Sequence, residues 1–327
     1  MERDGWLREV VERGDLDELV RVVDGLCDTR EWSDLLALRD RCLRAVERGK
    51  QLWPAAHLAE YRLALEAPAP LAGAMLVEGA GRFTLGPISE VAASTHTWAE
   101  LAPHAPPGPV AALAAHERVV RGEDLGAEPP VPPVLDLPGR LQDWEPRYAL
   151  ATYRPHTADF PTPELPRLEP VELPPPGERI TDPFGCQALV DLAVAWTSES
   201  NGRAEAVAVR GDALAAVAAL GVPRARAARL LPAEALASMA WTAASGGAHG
   251  RRRGAATGRF DAWFAVAALG GVADDWPLAP DAVGAALERL AWYAWDAREP
   301  LTGWNLHLAA EDRRTGRAWA VAAVDAR

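Results

Sequence analysis

The sequence predicts an α+β protein with a mainly helical, solenoid-like N-terminal domain and a C-terminal domain in which helices pack on an antiparallel sheet. Three observations carry this prediction. Apolar residues recur at helical spacing through the first 125 residues, prolines then crowd residues 126–185, and two stretches of the remaining chain alternate as strands do.

Length and composition indicate a folded protein of more than one domain. The chain has 327 residues, of which 49% are hydrophobic and 24% charged, and single hydrophobic cores stop growing at about 250–300 residues. We therefore predict a helical scaffold domain at 1–125, a proline-rich connector or surface wrap at 126–185 and an α+β domain at 186–327. The net charge of −12 argues against a protein that coats nucleic acid, because that binding needs a basic surface.

Residues 1–125 contain helices separated by short breaks. Apolar residues from Trp6 to Val23 fall at helical spacing, with a turn and an N-cap at Gly14 and Asp15 between two helices. A third helix ends at Gly49, as helices often end at glycine. Such helices resemble an α-solenoid of the HEAT or tetratricopeptide kind, and without a repeat consensus an irregular bundle is equally open. Further helices are predicted near 54–65, 71–80, 87–94 and 109–121.

The connector is defined by proline. Fifteen of the 28 prolines lie between residues 126 and 183, and proline interrupts helices because it lacks a backbone donor. The aromatic residues Trp144, Tyr148 and Tyr153 favour an ordered wrap over a free linker, because disordered segments are poor in aromatics. Residues 141–154 could wrap on the surface of a domain or form one short strand at 148–153.

Two hairpins are predicted in the C-terminal domain. The first joins an apolar run at 189–196 to an alternating strand at 204–209, and the second joins strands that start at Trp304 and Trp319 through a turn at 312–316. Together they predict a four-stranded sheet. Helices fill the interval between the hairpins, and they are expected at 212–220, 232–244, 260–269 and 281–296.

The loop Ser245–Arg259 is the strongest functional signal in the chain. It places five glycines, one histidine and four arginines in fifteen positions of an acidic protein. Backbone N–H groups of a glycine-rich turn and guanidinium groups both suit phosphate or carboxylate recognition. The sequence therefore predicts an anion site formed by Ser245, Gly246, Gly247, His249, Gly250, Arg251, Arg252, Arg253 and Arg259.

Other interpretations of the loop compete with the anion site. The arginines could pair with acids of the same chain, for which Glu205, Asp261, Asp274 and Asp275 are candidates, and the loop would then be a solvated connector. The segment is not a P-loop, because it lacks the G-x-x-x-x-G-K-[S/T] pattern. A third interpretation is a docking site for an acidic protein.

Other chemistry-bearing residues give weaker signals. Asn305 and His307 share one face of a predicted strand and could line a pocket. Four tryptophans close to the loop in sequence could stack on a base, although core packing explains them more simply; they are Trp241, Trp263, Trp292 and Trp295. Cys27, Cys42 and Cys186 form no disulfide or zinc pattern, no metal ligand set is matched on partner helices, and no cofactor is expected.

The chain resembles uncharacterised alanine- and arginine-rich proteins of actinobacteria, through its composition and the segment S-G-G-A-H-G-R-R-R-G. The resemblance implies no activity. With no signal peptide pattern and no long apolar span, we expect a cytoplasmic protein without a membrane partner. The leading hypothesis is a non-enzymatic adaptor or assembly subunit with a protein partner and an anion-binding loop. The alternative is an enzyme that processes nucleotides or nucleic acid, with His249 and the arginines at its site.

Overall fold

The computed structural model describes residues 2–298 and 303–326. The chain forms two compact units. The first unit comprises residues 1–125, 129–134 and 151–159, and the second comprises residues 126–128, 135–150 and 160–327. The proline-rich segment therefore contributes residues to both units.

The first unit is helical, as predicted. Asp15 caps the second helix by accepting a hydrogen bond from the backbone N–H of Glu18 at 3.0 Å, and a glycine ends the third helix region at Gly49, where φ is +92°. Two short strands complete the unit. The elements are α1 (Glu2–Arg13), α2 (Leu16–Asp28), α3 (Trp32–Glu47), α4 (Trp53–Glu66), α5 (Ala69–Ala74), α6 (Ile88–Thr95), α7 (Trp98–Leu101), α8 (Pro109–Val120), β1 (Thr152–Tyr153) and β2 (Ala158–Asp159).

Helix α4 is the centre of this unit. It packs against α2, α3, α5 and α6, and most of its residues are buried. The β1–β2 hairpin is fixed to the helices by two hydrogen bonds: Tyr61 donates to the carbonyl of Arg154, and Tyr153 donates to the carboxylate of Glu90, both at 2.6 Å. One helix surrounded by others on several sides is the arrangement of an irregular bundle.

The second unit is built on a seven-stranded antiparallel sheet in the order β3-β6-β7-β8-β9-β5-β4. The edge strands β3 and β4 come from the proline-rich segment, and β3 contains Pro170, which is tolerated at a sheet edge because proline has no backbone donor. The strands are β3 (Glu169–Val171), β4 (Glu178–Arg179), β5 (Arg203–Arg210), β6 (Ala225–Leu230), β7 (Ala291–Asp296), β8 (Trp304–Asp312) and β9 (Arg317–Asp325).

Helices cover both faces of the sheet. Ala309 of β8 packs with α11 in one apolar cluster, whereas Trp304 of the same strand stacks on Trp241 of α12, with ring centroids 5.1 Å apart. Because side chains five residues apart on a strand point to opposite faces, α11 and α12 lie on opposite sides. The helices are α9 (Pro183–Asp191), α10 (Val194–Ser198), α11 (Ala213–Ala219), α12 (Pro232–Ala244), α13 (Ala255–Leu269) and α14 (Pro280–Arg289), with a 3₁₀ turn at Ala273–Asp275.

The structure corrects three local predictions. The apolar run at 189–196 is helical, in α9 and α10, and is not the first strand of a hairpin. The helix predicted over 281–296 ends at Arg289, and residues 291–296 form β7. The sheet has seven strands where four were predicted. The hairpin formed by β8 and β9 and the predicted helix at 232–244 are confirmed. No helix of the described residues has the length and apolarity needed to cross a membrane.

Candidate functional site

Residues 245–254 form the loop that connects α12 to α13, whereas Ala255–Arg259 already belong to α13, so the loop is shorter than the predicted 245–259 and the helix predicted at 260–269 begins at Ala255. The loop is packed tightly against its own unit. Ser245 is buried, accepts a hydrogen bond from the indole Nε1 of Trp196 at 2.7 Å and donates to the carbonyl of Thr242 at 3.1 Å. A Cβ at Gly246 would collide with the carbonyl oxygen of Gly250, and a Cβ at Gly250 would collide with the carbonyl oxygen of Gly246. These glycines are thus required for a close backbone approach.

The backbone N–H groups of the loop bind carboxylates of the same chain. The N–H of Ala248 donates to the carboxylate of Asp325 at 2.6 Å, and the N–H of Arg251 donates to that of Glu199 at 3.1 Å. Asp325 is fully buried at the end of β9. These two backbone N–H groups are therefore already occupied by carboxylates of the same chain.

The arginines of the loop also have internal partners. Arg251 lies 3.4 Å from Glu199, and Arg253 lies 2.5 Å from Asp261. Burial raises the pKa of Asp261, while Arg253 opposes that change. The guanidinium of Arg252 lies 4.9 Å from the ring centre of Phe160, a cation–π contact. Asp261 was one of the four acids predicted to pair with these arginines, and its ion pair with Arg253 confirms that prediction.

Arg259 does not belong to the surface of the loop. It and Glu145 are both fully buried, with Nε and Nη2 donating to the two carboxylate oxygens at 2.8 and 2.7 Å. Its remaining donors reach the carbonyls of Pro138 and Arg140 at 3.1 and 2.9 Å. A guanidinium held in this way cannot turn toward a ligand, so Arg259 is removed from the proposed anion site. Among the predicted side chains only His249 and Arg251 are exposed, and anion binding there stays a prediction.

An exposed aromatic surface lies on the first unit and was missed by the sequence analysis. Trp53, Phe83 and Leu85 remain 38%, 56% and 41% exposed. The rings of Trp53 and Phe83 are in contact, with centroids 4.6 Å apart, and His57 lies 5.4 Å from Phe83. Burial lowers the pKa of His57; the carboxylate of Glu60 opposes this change and Arg82 adds to it.

These residues form a groove of about 280 Å³. The exposed Arg82 lies beside it, with its guanidinium 5.7 Å from the ring centre of Phe83. We call this feature the aromatic groove. Its lining residues are Trp53, Pro54, Leu58, Tyr61, Phe83, Thr84, Leu85, Pro155 and His156.

The cysteines and metal-ligand types form no reactive centre among the described residues. Cys27, Cys42 and Cys186 are free thiols, and burial raises their pKa values to about 12, 11 and 11. Thiols of this kind are poor nucleophiles because the thiolate is the reactive form. The described part of the chain holds no group of three or more histidine, cysteine or acidic residues that could bind a metal ion.

The fold and these surfaces define a two-unit α+β protein with an internally neutralised arginine loop and an exposed aromatic groove. The model of a protein family of unknown function, DUF6183, matches residues 17–327, which is nearly the whole chain. The protein belongs to that family. No curated protein and no solved structure matches the chain.

Proposed function

We propose that this protein is a non-enzymatic adaptor or assembly subunit of a cytoplasmic bacterial complex, and that the aromatic groove is where its partner docks. The observation that carries the proposal is the clustering of Trp53, Phe83 and Leu85 at the surface. Large apolar side chains that are exposed singly need no explanation, but a contiguous exposed cluster is typical of an interaction site.

The residue types of the groove suit protein recognition. Tryptophan and arginine carry much of the binding energy at protein interfaces, and the exposed Trp53 and Arg82 supply both types here. The aromatic rings are also held by packing, since Tyr61 is buried and hydrogen-bonded to Arg154. A surface that is already ordered loses little side-chain entropy when a partner binds.

The chemistry of the groove indicates an extended, proline-containing segment with an acidic residue as the partner. Proline-rich segments dock in grooves lined by aromatic rings because they are pre-ordered in a polyproline II conformation. Arg82 at the rim offers a positive charge to a partner's carboxylate in an otherwise acidic protein. We therefore commit to a protein partner that presents such a segment.

The alternative, an enzyme that processes nucleotides or nucleic acid with His249 and the arginines, has less support. Arg251, Arg253 and Arg259 already have carboxylate partners, so an incoming phosphate would have to displace them. It stays a prediction, and its test is the loss of turnover in a folded His249→Ala variant.

The adaptor proposal is tested with the full chain and an array of proline-containing peptides, each made with and without a flanking aspartate. We expect the acidic peptides to bind best. Leu85→Ala and Phe83→Ala should each weaken the best peptide by about tenfold, because truncation of an interface anchor costs more than about 1 kcal/mol. Arg82→Gln should remove the preference for the acidic form. Fluorescence anisotropy of the labelled peptides measures the affinities.

The matched control is Leu16→Ala. Leu16 lies in the same unit and is 38% exposed, close to the 41% of Leu85, but it does not line the groove. The peptide affinity should be unchanged in this variant. If no peptide binds, or if Leu85→Ala and Leu16→Ala have the same effect, the aromatic groove is not a docking site for proline-containing segments.

A further inference from the structure

A second cavity lies within the second unit, between strands β7 and β8 and helix α12. Its volume is about 290 Å³, at the lower end of the range of about 300–1,000 Å³ for small-molecule sites. We call it the sheet cavity. It is lined by Thr162, Pro163, Leu165, Leu168, Leu230, Ser238, Trp241, Thr242, Ala294, Trp295, Gly303, Asn305, Leu306, His307 and Leu308.

The cavity exists because two neighbouring strands separate. Pairing between β7 and β8 stops at Ala294 and Leu308, although β7 continues to pair with β6 as far as Asp296 and β8 continues to pair with β9 as far as Trp304. Residues 305–308 alternate between the two faces of the sheet, yet all four line the cavity. The space therefore occupies the gap between the strands, beyond the last β7–β8 pair of the described residues.

Three side chains of the cavity wall carry ring nitrogens without a hydrogen-bond partner among the described residues. They are Nε1 of Trp241, Nε1 of Trp295 and Nδ1 of His307. Buried polar groups are nearly always paired, and an unpaired one raises the free energy of the folded state. These nitrogens have almost no accessible surface, so they do not open into the cavity, and among the lining residues the amide of Asn305 and the hydroxyls of Ser238 and Thr242 are the polar side-chain groups that remain for an occupant.

The wall is uncharged. None of the lining residues is acidic, and none is a lysine or arginine. Burial lowers the pKa of His307 to about 4, and the carboxylate of Asp296 opposes this only in part, so the imidazole is neutral at physiological pH. Burying an ion without a counter-charge is strongly unfavourable. The occupant is therefore neutral.

The aromatic part of the wall favours a flat occupant. Trp241 stacks on Trp304, with an interplanar angle of 23°, and Trp295 lies 4.6 Å from His307. We propose that the sheet cavity binds an uncharged, planar heterocycle of nucleobase size. Its ring would stack against the aromatic side chains of the wall, while its polar edge would hydrogen-bond to the amide of Asn305. This role goes beyond partner docking, since the aromatic groove belongs to the other unit.

Calorimetry with the full chain at about pH 7.5 tests the proposal. The probes are adenine, hypoxanthine and uracil, each neutral at that pH, and the matched charged probes are AMP, IMP and UMP. At least one base should bind, and its nucleotide should bind at least about tenfold more weakly, because the phosphate has no counter-charge in the cavity. Binding of no base, or equal binding of base and nucleotide, would overturn the proposal.

Two variants with matched controls locate the binding. Asn305→Ala and His307→Gln should each weaken the bound base by about tenfold or more. Asn201→Ala makes the same change as the first variant at an exposed residue outside the cavity, and it should leave the affinity unchanged. A loss in His249→Gln instead of His307→Gln would place the ligand at the arginine loop and reject the cavity. Thermal melts establish that each variant is folded, and if His307→Gln is not, Asn305→Ala decides.

The pH dependence of stability checks that His307 is buried and neutral. Its pKa is lowered from 6.5 to about 4 in the folded chain, so the unfolded state binds more protons between those values. The titration of His307 therefore leaves the free energy of unfolding unchanged above about pH 6.5 and lowers it progressively as the pH falls toward 4. The urea midpoint should therefore fall more between about pH 7 and pH 4.5 in the wild type than in His307→Gln. Equal falls would show that His307 is accessible to protons.

Discussion

Replacing Arg259 by methionine should destabilise the second unit by about 3–5 kcal/mol, the cost of leaving one member of a buried ion pair without its partner. Arg259 and Glu145 are both fully buried. Glu145 also accepts hydrogen bonds from Nε1 of Trp263 at 3.1 Å and from the hydroxyl of Tyr148 at 2.6 Å. The substitution removes the only cation of this group and keeps the carboxylate away from water.

Urea denaturation followed by tryptophan fluorescence measures the effect, and Arg251→Met is the matched control. Arg251 lies in the loop that precedes α13 and its ion pair with Glu199 is exposed, so we expect a change of about 0–1 kcal/mol. The double variant Glu145→Gln with Arg259→Met should be much less destabilised than the sum of the two single variants, because it leaves no buried charge unpaired. Equal effects of Arg259→Met and Arg251→Met would contradict the structural role given to Arg259.

The difference between Arg259 and Arg251 is also where sequence reasoning about the site reaches its limit. Both arginines belong to one glycine-rich segment, and local composition gives them the same chemistry. What separates them is Glu145, which lies 114 residues before Arg259 in the proline-rich segment. A contact over that distance leaves no periodic signal, so the burial of Arg259 could be learned only from the fold.

Local pattern predicted the helices of the first unit because apolar residues recur at helical spacing within each segment and short breaks separate the segments. The capping hydrogen bond of Asp15 needs only the next three residues. In the second unit the same reasoning extended a helix through residues 291–296, since apolar residues at 283, 287, 290, 291 and 294 continue a helical stripe. The segment forms β7 because it lies between β6 and β8 in the sheet, and tertiary pairing overrides local preference.

The candidate surfaces were predictable only in part. Asn305 and His307 were assigned to one strand face that could line a pocket, and both line the sheet cavity. The aromatic groove gave no comparable signal, because Trp53, Phe83 and Pro155 come from three separated segments. Sequence spacing shows which residues share an element, but it does not show which elements meet.

A second large effect is expected from Gly258→Ala in α13, which should destabilise the protein by about 2–3 kcal/mol. A Cβ at Gly258 would collide with the carbonyl oxygen of Ala240 and approach the Cβ of Ala244 to 2.9 Å, both in α12. Backbone atoms of a packed helix cannot move aside as a flexible side chain can, so α12 and α13 would have to separate and lose packing.

Gly25→Ala in α2 is the matched control, and it should have the opposite sign. Gly25 is also helical, but it is exposed and a Cβ there would meet no atom within 4 Å. Alanine in place of glycine in an open helix position stabilises by about 0.5–1 kcal/mol, because it lowers the entropy of the unfolded chain. Helix propensity alone predicts a gain in stability at both positions, whereas the collision with α12 predicts a loss at Gly258. Urea denaturation followed by far-ultraviolet circular dichroism measures both changes and so separates propensity from packing. A gain at Gly258 as well would mean that α12 and α13 do not approach through this glycine.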